Sequence, residues 1–456
     1  MAWPLGFLKA AGYQPSAQDL AVEKLDPDRV KRARFVGICV PMHTALRLGV
    51  RVAARVREIH PTCHICFYGM YASLNADTLL ASTADSVIGG EYEAAMVDVV
   101  RALDAGRTPA AVEGVSVKDR IVAPVLKRIR FAAPSRQELP DLARYAKVEV
   151  NGEQRVVGYV EASRGCKHLC RHCPIPPVYN GQFFVVPVGT VLDDVTTQVN
   201  AGARHITFGD ADFLNGPAHA RRVVAAVHER FPELTFDFTA KVEHLLKHRD
   251  LLPEFARSGA LFVVSAVESF SDVVLKQLDK GHTRSDAFRA FEIVRESGIV
   301  LRPSLVPFTP WTTFDDYVEL FDIVEREGLI DAVDPIQFTI RLLVPPGSLL
   351  ERDPAIAPYL GELDGPSFTY RWTHPDPRMD KLYRDASGVV EQGAEQGVDT
   401  AVTFARLRES ATATRENRTP QPVAASFDPS RSRPPRLTEP WFCCAEPMEG
   451  QFERAV

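Results

Sequence analysis

No apolar run in this sequence approaches the roughly 20 residues that a membrane-spanning helix needs. No block of Lys or Arg supplies the electrostatic footprint of a nucleic-acid binder. The opening MAWPLGFLKAAGYQP lacks a basic leader ahead of an apolar stretch and lacks a small-residue cleavage site, so no secretory signal is read there. Charge of one sign is missing too: 53 Lys and Arg against 59 Asp and Glu leave a net of −6, too mild to attract a polyanion. Cysteine is sparse in the 456 residues but clustered, at Cys39, Cys63, Cys66, Cys166, Cys170, Cys173, Cys443 and Cys444. In a large chain that clustering points to metal or redox chemistry in a reducing compartment, not to a disulfide framework. The expectation is a cytoplasmic protein with neither a membrane nor a nucleic acid among its partners.

The length suffices for two or three domains, and three segments are read. Between residues 30 and 105, strand-like runs (Arg34–Val40, His64–Gly69, Ser86–Gly90) alternate with helical ones (Thr44–Ile59, Glu91–Leu103). Strands separated by helices predict a small doubly wound α/β domain, placed with its linker at 1–145. Cys63 and Cys66 fall at strand spacing on opposite faces and are expected as buried thiols, with Cys39 beside them in the core. From Val156 the rhythm is more regular. Strand signals at Val156–Ala162, His205–Gly209, Leu234–Ala240, Leu261–Val267, Ile299–Phe308 and Pro335–Val344 are separated by helices, including Val191–Ala201, Ala218–Arg230, Asp286–Ser297 and Phe314–Glu327. Thr190 and Asp193 are read as the cap of the first of these helices, and Gly202 as its stop. Six strand–helix units over 150–350 predict a partial (β/α)6 barrel, whose chemistry belongs at the carboxyl ends of its strands. Segment 351–456 breaks the rhythm. It is read as a helical stretch (Met379–Glu409), a run from Asn417 to Pro440 with six prolines, and a tail ending WFCCAEPMEGQFERAV.

At the end of the first barrel strand stands RGCKHLCRHCP, with Cys166, Cys170 and Cys173 inside eight residues. Zinc in a closed site wants four ligands and would enlist His168 or His172. No second Cys-x-x-Cys pair follows at zinc-finger distance. A cubane cluster on three cysteines leaves one iron open, as a catalytic metal requires and a structural one avoids. Both readings remain open on spacing alone, with the cluster favoured.

The same three cysteines, placed after the first strand of such a barrel, resemble the signature of the radical S-adenosylmethionine (SAM) superfamily, and the resemblance covers about Val156 to Leu350. It implies a [4Fe-4S] cluster on Cys166, Cys170 and Cys173 and SAM chelating the open iron. It further implies cleavage of SAM to a 5′-deoxyadenosyl radical, a small-molecule substrate and an external one-electron donor of the flavodoxin or ferredoxin type. His172 replaces the family's usual aromatic before the third cysteine and is expected near the adenine. Gly209 and Asp210 in FGDADFLNGP fall where the family carries a Gly-Gly-Glu-like motif for the methionine part of SAM. Glu268 and Ser269 in SAVESFSDVVLKQLDKGHT match a Gly-x-Glu-Ser…Lys-Gly pattern, with Ala266 in place of the glycine, and become candidates for SAM contacts. Lys241 and Glu243 after the third strand, and Val306–Pro310 on the fifth, are further candidates. Each of these positions also has an ordinary structural use, as helix cap, strand end or packing.

The first segment resembles the cobalamin-binding domain that precedes many radical SAM barrels, with Gly90-Glu91-Tyr92-Glu93 matching its Gly-Glu-x-Glu turn. Of its Asp-x-His-x-x-Gly motif only His43 survives, so cobalamin as a further cofactor is left open. The ending Trp441–Pro447 resembles a radical SAM family with a Cys-Cys-Ala-Glu-Pro tail, whose relatives carry selenocysteine at the second position. That likeness implies a catalytic role for Cys443 and Cys444 at the substrate. The function so expected is radical SAM chemistry on a small molecule: cobalamin-dependent methylation, or carbon–sulfur, –selenium or –arsenic bond chemistry. The alternatives are a tRNA methylthiotransferase-like enzyme and, from another class, a non-catalytic zinc- or metalloid-binding thiol protein.

Overall fold

The structure, a computed structural model, describes residues 1–423, 428 and 431–439. In its first sheet β1 (Phe35–Cys39), β2 (His64–Tyr68) and β3 (Ser86–Ile88) run parallel in that order, and β4 (Val115–Ser116) lies antiparallel on β3. Strand alternation sends successive side chains to opposite faces. Cys63, Ile65 and Phe67 accordingly join one core with Leu46, Val52 and Val56 of helix His43–Ile59. Cys66, Tyr68 and Ile88 join another with Met96 and Val99 of helix Glu93–Asp104. Both thiols are buried, and burial pushes the Cys66 thiol up to about 12, so it packs as an apolar group.

The second sheet holds seven strands. β5 (Lys147–Val150) and β6 (Glu153–Val160) form a hairpin turning at Asn151–Gly152. Beyond β6 the chain makes a small antiparallel pair, β7 (Ser163–Gly165) with β8 (Phe183–Val185), which brackets the cysteine loop. Then come β9 (His205–Phe208), β10 (Thr235–Thr239), β11 (Ala260–Glu268) and β12 (Val300–Leu305), all parallel to β6 in the order β12-β11-β10-β9-β6. Strands this apolar must be covered. Helices Val188–Asn200, Pro217–Arg230, Arg284–Glu296 and Phe314–Arg326 supply Val195, Val223, Phe291 and Phe321 to one continuous core with Phe208, Phe236 and Val263 of the sheet.

The sheet is the curled half-barrel expected, with one unit abbreviated. Pro335–Val344 does not form a strand. It starts as a 3-10 turn, Pro335–Thr339, and meets the sheet at one parallel bridge, Phe308 with Arg341. Pro335 cannot donate to a ladder, and Gln337 spends its amide oxygen on the Leu305 backbone N–H at 2.8 Å. The first barrel helix starts earlier than its cap signal suggested. Pro187 is its N-cap and Thr190 lies inside it, while Gly202 ends it at φ 101°. Two helices do carry full capping boxes, Thr283 with Asp286 and Thr313 with Asp316.

After the barrel, β13 (Leu360–Asp364) and β14 (Thr369–Trp372) form a hairpin whose turn reaches back to the first sheet, burying Phe368 in its core. The helical stretch expected over Met379–Glu409 is two helices, Pro377–Glu395 and Thr400–Arg415, parted by Gly397 at φ 63° and the capping Asp399. β15 (Arg436–Leu437) then pairs antiparallel with β5 and becomes the seventh strand. Among the described residues no helix is long and apolar enough to cross a membrane.

Candidate active site at the cysteine loop

The loop carrying Cys166, Cys170 and Cys173 leaves β7 at the carboxyl end of β6. Cys166 and Cys170 are buried, Cys173 half-buried, and none of the three is in a disulfide. Elements from all around the barrel hold the loop. Asn215 accepts the Lys167 N–H at 3.2 Å, and the Leu278 carbonyl accepts the Arg171 N–H at 3.0 Å. The Ser348 hydroxyl donates to the Arg171 carbonyl at 3.2 Å.

Each histidine of the loop has a partner on another element of the barrel. His172 Nε2 lies 3.3 Å from Glu268 Oε1, and His168 Nε2 lies 3.3 Å from His244 Nε2. The structure brings together two residues expected in one site, His172 and Glu268, and adds Lys280, whose Nζ is 3.1 Å from Glu268 Oε1. All three are at least nine-tenths buried. Burial alone would raise the Glu268 carboxyl, but Lys280 and His172 outweigh it and bring it down to about 2. Glu268 sits at φ 64°, just past a register shift at Ala266, a left-handed conformation that costs about 1 kcal/mol or more for a residue with a Cβ. The bulge aims its carboxylate at the loop. Ser269, by contrast, accepts the Ser271 N–H at 3.1 Å and serves the local turn.

Gly209 and Asp210, expected at the methionine part of SAM, each have partners within the chain. A Cβ on Gly209 would stand 2.0 Å from the Tyr159 ring, so the glycine admits that ring, whose hydroxyl donates to the Gly209 carbonyl at 3.2 Å. Asp210 accepts the Ala162 N–H at 3.0 Å and the Ser163 hydroxyl, and so shapes the β6–β7 corner that delivers Cys166. Burial pushes its carboxyl up to about 7 against those two donors. Lys241 and Glu243 meet each other, Nζ to Oε2 3.6 Å, next to His168.

The Gly-Glu-x-Glu turn of the first sheet also has a local use. Arg164, two residues before Cys166, is buried against it, 3.2 Å from Glu91 Oε2 and 2.6 Å from Glu93 Oε1, with Glu161 at 3.3 Å. Its guanidinium lies over Trp3 at 5.2 Å, Phe131 at 5.3 Å and Tyr92 at 5.7 Å. The Tyr179 hydroxyl donates to Glu91 from the far side of the cysteine loop. His43 is buried with Nε2 2.6 Å from the Ser367 carbonyl, and burial lowers it to about 4, keeping it neutral. Arg164, Lys280, Asp212 and His244 were not singled out from the sequence. Arg164, Asp212 and Lys280 all stand inside stretches quoted above, but nothing in those stretches marked them for these contacts, and His244 lay outside them. Cys443 and Cys444 lie outside the described residues.

Residues 160–343 match the radical SAM superfamily. Over 303 residues the chain is 21% identical to the anaerobic magnesium-protoporphyrin IX monomethyl ester cyclase of a Synechocystis strain, covering 65% of this chain and 58% of that one. Over 208 residues it is 26% identical to the tRNA-2-methylthio-N(6)-dimethylallyladenosine synthase of Chlorobium limicola, covering 44% and 46%. The chain therefore spans about half the length of these relatives. Two solved structures share its fold. The cobalamin-dependent SAM radical enzyme OxsB, solved with aqua-cobalamin and SAM, superposes with TM-score 0.67 at 15% identity over 90% of this chain and 69% of that one. The radical SAM methyltransferase TsrM of Kitasatospora setae, solved with cobalamin and a [4Fe-4S] cluster, gives TM-score 0.55 at 16% identity over 72% and 67%.

Proposed function

We propose that this chain, whose residues 160–343 match the radical SAM superfamily, holds a [4Fe-4S] cluster on Cys166, Cys170 and Cys173 and works as a radical SAM enzyme on a small molecule. The carrying observation is that one loop at the carboxyl end of the first barrel strand offers three thiols outside any disulfide, while Nε2 of each of its histidines meets another element, which suits a cluster with one iron open. Lys280 fits the same group, because its buried ammonium lies within electrostatic reach of Cys170 and Cys173 and would offset the negative charge of thiolate-bound iron. When bound, the cluster and SAM supply one-electron cleavage and hydrogen-atom abstraction. The chain's own contribution is to fix the loop through Asn215, Leu278 and Ser348, to hold His172 against Glu268, and to keep water from the buried thiols.

The first sheet has the parallel order of a corrinoid-binding domain, and both structural neighbours bind cobalamin. Here, however, His43 is taken by the Ser367 carbonyl and Glu91 by Arg164 and Tyr179. His43 would have to leave the Ser367 carbonyl to hold a corrin, and we assign that cofactor no step. We read 1–145, 150–350 and 351–456 as the three functional segments, a small molecule as substrate, and a flavodoxin- or ferredoxin-type protein as electron donor. Cys443 and Cys444 are assigned to the substrate. In support, β15 runs parallel to β6, so Thr438 heads toward the carboxyl ends of the barrel strands. Cys443 follows five residues later, a reach of at most about 18 Å.

The test is anaerobic reconstitution of the full chain. About four irons per chain and formation of 5′-deoxyadenosine from SAM with dithionite are expected, and both vanish in Cys166→Ala. A colourless protein with stoichiometric zinc and no SAM cleavage would refute the reading.

A further inference from the structure

We propose a second metal site, formed by His168, Asp212 and His244, for a divalent ion of the zinc or ferrous class. The three come from three elements: the cysteine loop, the segment after β9, and the first turn of helix Val242–Lys247 after β10. One ligand atom from each lies within 4.8 Å of the other two. His168 Nε2 is 3.8 Å from Asp212 Oδ2, and His244 Nδ1 is 2.7 Å from that same oxygen. Ligand atoms around an ion with bonds of about 2.0–2.2 Å stand roughly 3 to 4 Å apart, so the trio needs only a small closure to grip one. Two imidazoles and one carboxylate are the donors that ions of this class prefer, and three ligands leave positions open.

Two features argue that the cluster is more than a hydrogen-bond chain. His244 is 93% buried, at 7% exposure, and its Nδ1 makes no hydrogen bond, although the Asp212 oxygen is 2.7 Å away. The pair is close but misaligned for a hydrogen bond. The second feature is charge. Asp212 is fully buried, and its ion-pair partners among the described residues are the two imidazoles of His168 and His244, with no Lys or Arg side chain paired with it. A cation between the imidazoles would supply the missing countercharge. The carboxylate is already steered for it: Asp212 accepts the Leu214 N–H at 2.9 Å and the Lys241 N–H at 3.3 Å, which fixes its plane. The site stands beside the cysteine loop at the carboxyl ends of β9 and β10, on the face where the barrel does its chemistry.

The site does not depend on the iron–sulfur cluster, and the test separates them. The full-length triple variant Cys166→Ala/Cys170→Ala/Cys173→Ala, titrated anaerobically with Co2+, is expected to develop the visible d–d bands of a low-symmetry site at about one equivalent. His244→Ala and Asp212→Asn placed in that background are expected to weaken the binding about 100-fold. Far-ultraviolet circular dichroism and thermal melting confirm folding of each protein. In the reconstituted holoenzyme supplied with zinc, elemental analysis should find about one zinc in addition to the irons, and His244→Ala should lose the zinc while keeping the iron. A folded triple variant without cobalt bands, or undiminished cobalt affinity in His244→Ala, would overturn the proposal.

Discussion

Lys280 Nζ stands 3.1 Å from Glu268 Oε1, and the two opposite charges are sealed together beneath the cysteine loop. Neither charge can be removed singly without stranding the other. Lys280→Met should therefore cost about 3–5 kcal/mol, read as a lowered urea midpoint at unchanged slope. The double variant Glu268→Gln/Lys280→Met should recover part of that loss. A single variant as stable as the parent would show that the pair is not coupled.

Arg164 gathers carboxylates from the first sheet and the barrel at the root of the same loop. Arg164→Met leaves Glu91 and Glu93 buried without their cation, and a loss of about 3–5 kcal/mol is expected. Iron retained after reconstitution should fall in parallel. Arg164→Lys keeps the charge but not the fork, and should land between the two. Equal iron loading and equal melting temperature in all three proteins would show that the clamp is idle.

Burial pushes Glu91 up to about 7, with Arg164 opposing it. The sign follows from proton uptake: between its ordinary value near 4.5 and about 7, the folded chain holds a proton that the unfolded chain has released. This group therefore stabilises the fold least at high pH, and its contribution falls as pH rises through that window, then levels off. Glu91→Gln should flatten the decline. Chemical denaturation of both proteins at several pH values across the window measures it; parallel curves would refute the assignment.

Gly209→Ala would drive a Cβ to 2.0 Å from the Tyr159 ring. Tyr159 is exposed and the contacting atoms are the far end of its ring, so the ring can swing aside and a cost of only about 0.5 kcal/mol is expected. Tyr159→Ala in the same chain should relieve most of it, and absence of relief would mean that the strain lies elsewhere.

The strands were legible because their signal is local. Arg34–Val40, His64–Gly69 and the first five barrel runs are β-branched and aromatic stretches bounded by turn residues, and each became a strand within a few residues of its expected limits. Pro335–Val344 looked equally apolar, but its ladder is replaced by contacts from Gln337 and Phe308 that only the assembled barrel provides. The three cysteines could be read for a related reason, since their spacing is itself the signal. What lay beyond the sequence was pairing across distance. Arg164 meets Glu91 from 73 residues away, His172 meets Glu268 across 96, and His43 meets Ser367 across 324. Nothing local to Gly209 and Asp210 revealed that Tyr159, Ala162 and Ser163 would be their partners within the chain.

β15 gives the edge of the large sheet its last partner, with Arg436 opposite Glu149 and Leu437 opposite Val148. An extended hairpin margin such as β5 is the kind of template that recruits strands from neighbouring molecules when it is bared. A truncation cut before Arg436 would expose that margin and invite self-association, confounding any loss of turnover with aggregation. A cut after Glu439 would remove both terminal thiols and leave the hem of the sheet sewn.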